Sequence, residues 1–194
     1  MLSEKKTKKI FLKTNALLSG HFILSSGLRS ANYLQCAKLL MHPIYSEKVC
    51  KSLAKKIKKE FNKIDLVVSP AMGGIVVGYE VARQLRKSSI FTERVNGEFQ
   101  LRRGFEIKPN MKVLIVEDVI TTGKSSIECA KVVEQLNAKV IGFACIVDRS
   151  NNKSLIKQKI VSQIKFNFPT YEVNNLPKEL KKIPAIKPGS RNLV

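Results

Sequence analysis

The run Val113-Leu-Ile-Val-Glu-Asp-Val-Ile-Thr-Thr-Gly-Lys-Ser-Ser126 gathers more reactive groups than any other stretch of the chain. Val113 to Val116 read as a buried strand, two adjacent acids stand at its carboxyl end, and a Thr-Thr-Gly-Lys-Ser turn opens the next helix. In an open parallel sheet, ligands collect at the carboxyl ends of the strands. Backbone N–H groups at a helix start lack intrahelical partners and lie at the positive end of the helix dipole. Gly123 permits close backbone approach, and Thr121, Thr122 and Ser125 add hydroxyls, so the turn suits a monophosphate. A nucleoside triphosphate loop also ends in Gly-Lys-Ser, but it requires a glycine where this chain has Asp118. Glu117 and Asp118 would repel a phosphate unless they serve another group. Carboxylates accept hydrogen bonds from vicinal ribose hydroxyls and help to retain a hydrated magnesium ion shared with a diphosphate, so a sugar phosphate with free hydroxyls satisfies both halves. A solvated acidic strand end followed by a capped helix is the plainer alternative, although capping alone does not call for the whole run.

These residues need a scaffold, and the flanking pattern supplies one. Helices are expected over Glu4 to Leu18, ending near Gly20, over Ser46 to Phe61 with Ser46 as N-cap, over Ile75 to Leu85 and over Gly123 to Leu136. Strands are expected from Asp65 to Ser69, weakly from Ser89 to Thr92, from Val113 to Val116, from Val140 to Val147 and near Gln163 to Phe168. A polar, turn-rich stretch covers 25–30, a tight loop covers 70–74, and the end of the chain beyond the last strand reads as irregular. Strands alternating with helices give an α/β fold, a mainly parallel sheet covered on both faces. The polar stretch from Glu93 to Pro109 is too long for an ordinary connection and reads as a functional lid.

With 194 residues the chain suits one domain, 1–194, and no apolar run reaches the roughly 18 to 20 residues of a membrane span. The basic start has no apolar stretch and cleavage site behind it, so a cytoplasmic location is expected. Cys36, Cys50, Cys129 and Cys145 lie far apart and read as buried free thiols, and His21 and His42 are too isolated for a metal cluster. The formal charge of +20 is also the mark of a nucleic-acid binder, but lysine outnumbers arginine more than threefold and few aromatics are interleaved. No nucleic-acid partner is expected, and the charge suits a substrate rich in phosphoryl groups equally well.

The central run resembles the 5-phosphoribosyl 1-diphosphate signature of type I phosphoribosyltransferases, which orotate, purine and uracil enzymes share with some regulators of that fold. Gly20-His-Phe-Ile-Leu-Ser-Ser-Gly-Leu-Arg-Ser30 with Tyr33-Leu-Gln-Cys36 resembles the N-terminal hood of the orotate enzymes. Ser69-Pro-Ala-Met-Gly-Gly-Ile75 resembles their pyrophosphate loop, and Ile183-Pro-Ala-Ile-Lys-Pro-Gly-Ser-Arg191 resembles the tail of one subgroup. The resemblance implies a type I phosphoribosyltransferase fold, with 1–40 and part of the tail forming the hood. It also implies the pyrimidine-pathway conversion of orotate and 5-phosphoribosyl 1-diphosphate to orotidine 5′-phosphate and diphosphate, with Mg2+ as cofactor.

Carried onto this chain, the resemblance assigns Glu117, Asp118, Val119, Ile120, Thr121, Thr122, Gly123, Lys124 and Ser125, with Gly73, to the sugar diphosphate. It gives Thr121, Arg149, Tyr33 and Leu34 to orotate, Arg149 meeting its carboxylate. The chain departs from the commoner pattern at Ser25, where the hood often carries lysine, and at Met72 and Gly73, where the pyrophosphate loop often carries an aromatic and a lysine. Its long loop carries Arg94, Arg102 and Arg103, as in an arginine-bearing subgroup. One or more of these is expected to close over the leaving diphosphate, in the neighbouring subunit's site of a homodimer. An Asp-Arg pair at a strand end, such as Asp148-Arg149, is otherwise often a surface ion pair.

Overall fold

The computed structural model describes residues 1–24, 26–151 and 153–188. Ser25 and Gly189, Ser190 and Arg191 of the tail motif lie outside the described residues. The first helix, α1 (Glu4–Lys13), starts at Ser3, whose hydroxyl accepts the Lys6 N–H, and stops five residues short of the expected Leu18. The Thr14 hydroxyl turns back onto the Ile10 carbonyl and Asn15 takes a left-handed φ of 53°, so Leu17 and Leu18 open a strand instead. That strand, β1 (Leu17–Ile23), pairs antiparallel with β2 (Arg29–Leu34), which begins inside the stretch expected to be turn. After a short α2 (Cys36–Leu40), α3 (Pro43–Glu60) starts ahead of the expected Ser46. Pro43 fits the first helical position because its missing N–H would have had no partner there.

The sheet then builds through β3 (Leu66–Pro70), α4 (Gly73–Leu85), β4 (Ser88–Val95), β5 (Glu98–Leu101), β6 (Lys112–Ile120), α5 (Lys124–Gln135), β7 (Lys139–Asp148) and β8 (Ile160–Lys165). The chain closes with β9 (Thr170–Tyr171) and α6 (Lys178–Lys181), so the tail is less irregular than expected. Two expectations change in kind. The stretch from Glu93 is not plain loop throughout: β4 runs on to Val95 and returns as β5 through Asn96 and Gly97, both at positive φ, the backbone a two-residue hairpin needs. The strand placed near Gln163 to Phe168 lies earlier, at β8, with Phe166 buried just beyond it.

The large sheet has the order β5-β4-β3-β6-β7-β8, parallel except for the β4–β5 hairpin at one edge, as the alternating pattern predicts. One face packs Leu114, Val116, Ala144 and Ile146 against α1, α3 and α4; the other packs Val113, Ile115, Phe143 and Cys145 against α5. A second sheet, β1-β2-β9, stands apart, and the tail closes on it through an Ile23 N–H bond to the Ile186 carbonyl and an Ile186 N–H bond to the His21 carbonyl. All four cysteines are buried free thiols, as their spacing suggests.

Gly78 lets α4 lie against β3: a Cβ there would meet the Ser69 hydroxyl and stand 3.0 Å from the Ser69 Cβ. Gly78→Ala is therefore expected to lower stability by about 1–3 kcal/mol, read from the urea midpoint, and an unchanged midpoint would mean that α4 can ride off the sheet freely.

Candidate active site

The acids do not stand beyond the strand end. β6 continues four residues past Val116 to Ile120, with Glu117 level with Cys145 of β7 and Ile120 level with Asp148. Successive side chains of a strand point to opposite faces, so the two acids straddle the sheet. Glu117 faces α5, where the Ser126 hydroxyl donates to its Oε2. Asp118 faces α4, whose first residue, Gly73, is placed so that a Cβ would lie 3.0 Å from Asp118 Oδ1. The Val119 N–H also donates to that oxygen, at 2.9 Å. Burial pushes the Glu117 carboxyl from an ordinary 4.5 up to about 7, against the Ser126 bond that favours the charged form. Burial likewise raises Asp118, with the Val119 N–H opposing it.

The turn after β6 brings the expected phosphate residues together. Thr121, Thr122 and Lys124 are exposed, Ser125 is half-buried, and Gly123 sits at the N-cap of α5 with φ +80°. Any side chain at Gly123 is blocked twice, by that φ and by Ile156, whose Cγ1 would be 2.7 Å from a Cβ. The segment from Ser154 to Ile156 braces the turn from behind, the Leu155 N–H donating to the Thr122 carbonyl at 2.9 Å. Sequence reasoning missed this brace, because Ser154-Leu-Ile-Lys157 carries no motif of its own.

Arg149 follows β7 and hangs its N–H on the Ile120 carbonyl at 2.8 Å, which ties it to the same strand end. Its guanidinium lies 5.5 Å from the Phe168 ring centre, and burial lowers its pKa while Cys36 and Tyr33 raise it. Cys36 in turn feels the charges of both Asp118 and Arg149. The N-terminal sheet, the α4 side of β6 and the end of β7 thus converge. Tyr33 stands there with its ring 5.6 Å from that of Phe22, whereas the Leu34 side chain is buried in the core, so only its backbone can face a ligand.

The three arginines of the hairpin are not drawn into this cleft. Arg94 lies over the Phe99 ring at 4.2 Å, donates to the Gly97 carbonyl at 2.5 Å and pairs with Glu128 of α5. Glu128 also lies 3.9 Å from Lys124, the first residue of α5. Arg103 pairs with Glu93, and Arg102 reaches the same carboxylate at 3.6 Å. Among the described residues no group of three or more His, Cys, Asp or Glu is arranged to hold a metal. His21 bonds the Ile183 carbonyl through Nδ1, and His42 precedes α3, so neither histidine reaches the acids.

Comparison with known proteins places this cleft in context. The phosphoribosyl transferase domain family matches residues 40–175. The orotate phosphoribosyltransferase of Parvibaculum lavamentivorans is 47% identical over 193 residues, covering 99% of this chain and all of that protein. Among solved structures, the orotate phosphoribosyltransferase of Aeropyrum pernix superposes with a TM-score of 0.72 at 25% identity, over 81% of this chain and 92% of that one. The adenine phosphoribosyltransferase of Saccharomyces cerevisiae shares the fold, with a TM-score of 0.67 at 19% identity over 81% of this chain and 98% of that one.

The raised Glu117 carboxyl has a measurable consequence. The folded ligand-free protein holds a proton there that the unfolded chain has lost, so this contribution to stability is complete below about 4.5 and is lost as pH rises through about 7. Thermal melts across that range are expected to show wild type losing stability relative to Glu117→Gln. Parallel curves would mean that Glu117 titrates as an ordinary carboxylate.

Proposed function

The chain belongs to the phosphoribosyl transferase family and within it to the orotate phosphoribosyltransferases, and on that premise we propose how its own residues join orotate to 5-phosphoribosyl 1-diphosphate. The products are orotidine 5′-phosphate and diphosphate, in de novo UMP synthesis. The observation that carries the residue roles is that β6 ends with Asp118 against Gly73 at the start of α4 and with Arg149 hung on the Ile120 carbonyl, beside the 121–125 turn.

The exposed hydroxyls and helix-start N–H groups of Thr121 to Ser125 take the 5-phosphate. Glu117 and Asp118, one from each face of the sheet, accept hydrogen bonds from the ribose hydroxyls. As the anomeric carbon parts from diphosphate, positive charge grows on the sugar and negative charge on the leaving group; the two carboxylates favour the first. Gly73, exposed at the start of α4 and close against Asp118, lies where the diphosphate would sit. The guanidinium of Arg149 forms a planar fork suited to the orotate carboxylate, with Tyr33 and the Leu34 backbone beside the base and Thr121 between base and sugar. Arg94, Arg102 and Arg103 supply the charge that neutralises departing diphosphate once they exchange their present carboxylates for it.

Two adjacent hard-oxygen donors without a third suit a hydrated Mg2+ shared with the substrate better than an ion caged by protein alone. Glu117 and Asp118 would hold it through its water, and when bound it adds positive charge at the diphosphate.

A homodimer is part of this reading, and the surface supports it. Val76 and Tyr79 of α4 are 50% and 65% exposed, Met72 just before α4 is 82% exposed, and Met41 and Ile44 continue the apolar face. That face adjoins Gly73, at the start of α4. No described helix is long and apolar enough to cross a membrane.

Orotate consumption, followed by ultraviolet absorbance with the sugar diphosphate and magnesium beside a purine panel, is expected to be specific for orotate and to stop when magnesium is chelated. Arg149→Ala is expected to cut kcat/KM for orotate by roughly two to three orders of magnitude, the cost of leaving a charged pair unmade. Preference for a purine, or indifference to Arg149→Ala, would sink the base assignment. Sedimentation should find a dimer that Val76→Glu splits with loss of turnover; a fully active wild-type monomer would remove the shared lid.

A further inference from the structure

Ser126 lies just beyond the turn assigned to phosphate. It is 0% exposed, so it touches no ligand, yet its hydroxyl donates to Glu117 Oε2. A helical serine commonly returns its hydroxyl to the carbonyl one turn back, and this one reaches out of its helix to the strand instead. Among the described residues it is the one hydrogen-bond donor to the Glu117 side chain. The geometry follows from the fold: the 121–123 turn is tight enough that the buried side of the first turn of α5 lies against the α5 face of β6, the face on which Glu117 stands.

The other ionisable groups near Glu117 give it no comparable hold. Asp118 beside it repels its charge. Cys129, a turn further along α5, is pushed by burial up to about 12, and Cys145, opposite on β7, rises well above its ordinary value, so both thiols stay neutral. The Ser126 hydroxyl is what restrains a side chain that could otherwise adopt several rotamers.

We propose that Ser126 is a positioning residue for the sugar diphosphate: by fixing one oxygen of Glu117 it aims the other at a ribose hydroxyl. The inference rests on the reading of Glu117 as a sugar-binding carboxylate. Its effect should reach the sugar substrate alone, and only through Glu117.

Calorimetry on the full-length protein, titrating 5-phosphoribosyl 1-diphosphate without base, tests this apart from the choice of base. Ser126→Ala is expected to weaken binding roughly ten- to a hundredfold, the value of a hydrogen bond to a charged group, and to leave the KM for orotate unchanged. Ser126→Thr, which keeps the hydroxyl, should restore most of the affinity and provides the comparison if the alanine variant folds poorly. In the Glu117→Ala background, Ser126→Ala should cost less than about twofold, because two residues acting through one contact are not additive. Costs that add fully, a loss shared equally by orotate, or unchanged affinity in Ser126→Ala would each overturn the proposal. Tight sugar binding with turnover of another base would overturn the orotate assignment and leave Ser126 standing. Wild type that does not bind the sugar diphosphate would overturn both.

Discussion

The alternation of side chains along the carboxyl end of β6 governs the arrangement of the site. Had the strand stopped at Val116, Glu117 and Asp118 would sit side by side in a loop and repel each other as well as any phosphate. Because the pairing with β7 carries on to Ile120, each acid is sent to its own face and its own partners, Ser126 on one side and the Val119 N–H on the other. Burial raises both carboxyls, and the fold tolerates this because each keeps a hydrogen bond that favours its charged form. The same register sets Ile120 level with Asp148 and so hangs Arg149 from the Ile120 carbonyl. One strand thereby fixes acids and guanidinium relative to each other.

The N-terminal sheet has to be held over that strand end from elsewhere, and three contacts do so. Phe11 of α1 meets Phe166 edge to face at 5.7 Å, the buried Gln163 amide of β8 donates to Thr7, and the tail bonds to β1 on both sides of Phe22. The first and last parts of the chain thus close around β8, which is why Tyr33 lies near Arg149 although more than a hundred residues separate them.

Much of this was legible in the sequence. The Gly123 turn and the alternating elements each rest on local rules, and they fell where those rules put them. What failed depended on partners distant in sequence. Ala16 to Leu18 extend the apolar set of Ile10 and Phe11 across Lys13-Thr-Asn15, and only Asn15 at positive φ and pairing with β2 make Leu17 and Leu18 a strand. Asn96-Gly97 is a strong two-residue turn signal, and the hairpin with solvated charges that the stretch also allowed is what forms. The division of the acids between two faces needed the true end of β6, and strand ends are set by pairing rather than by composition. The contact between Ser126 and Glu117 follows from that same end.

The hairpin arginines show how a basic chain can keep its cations ready without leaving them free. At +20 the chain has cations to spare, yet Arg94, Arg102 and Arg103 are matched with the scarcer carboxylates Glu128 and Glu93. The arginines of these pairs are 41–62% exposed, so solvent screens them and little holds them against a stronger anion. A diphosphate carries more charge than one carboxylate and offers more acceptor oxygens to a guanidinium fork. Glu128 also touches Lys124, at the mouth of the phosphate turn. Lys124 and Arg94 therefore share one carboxylate, and neither cation has it to itself.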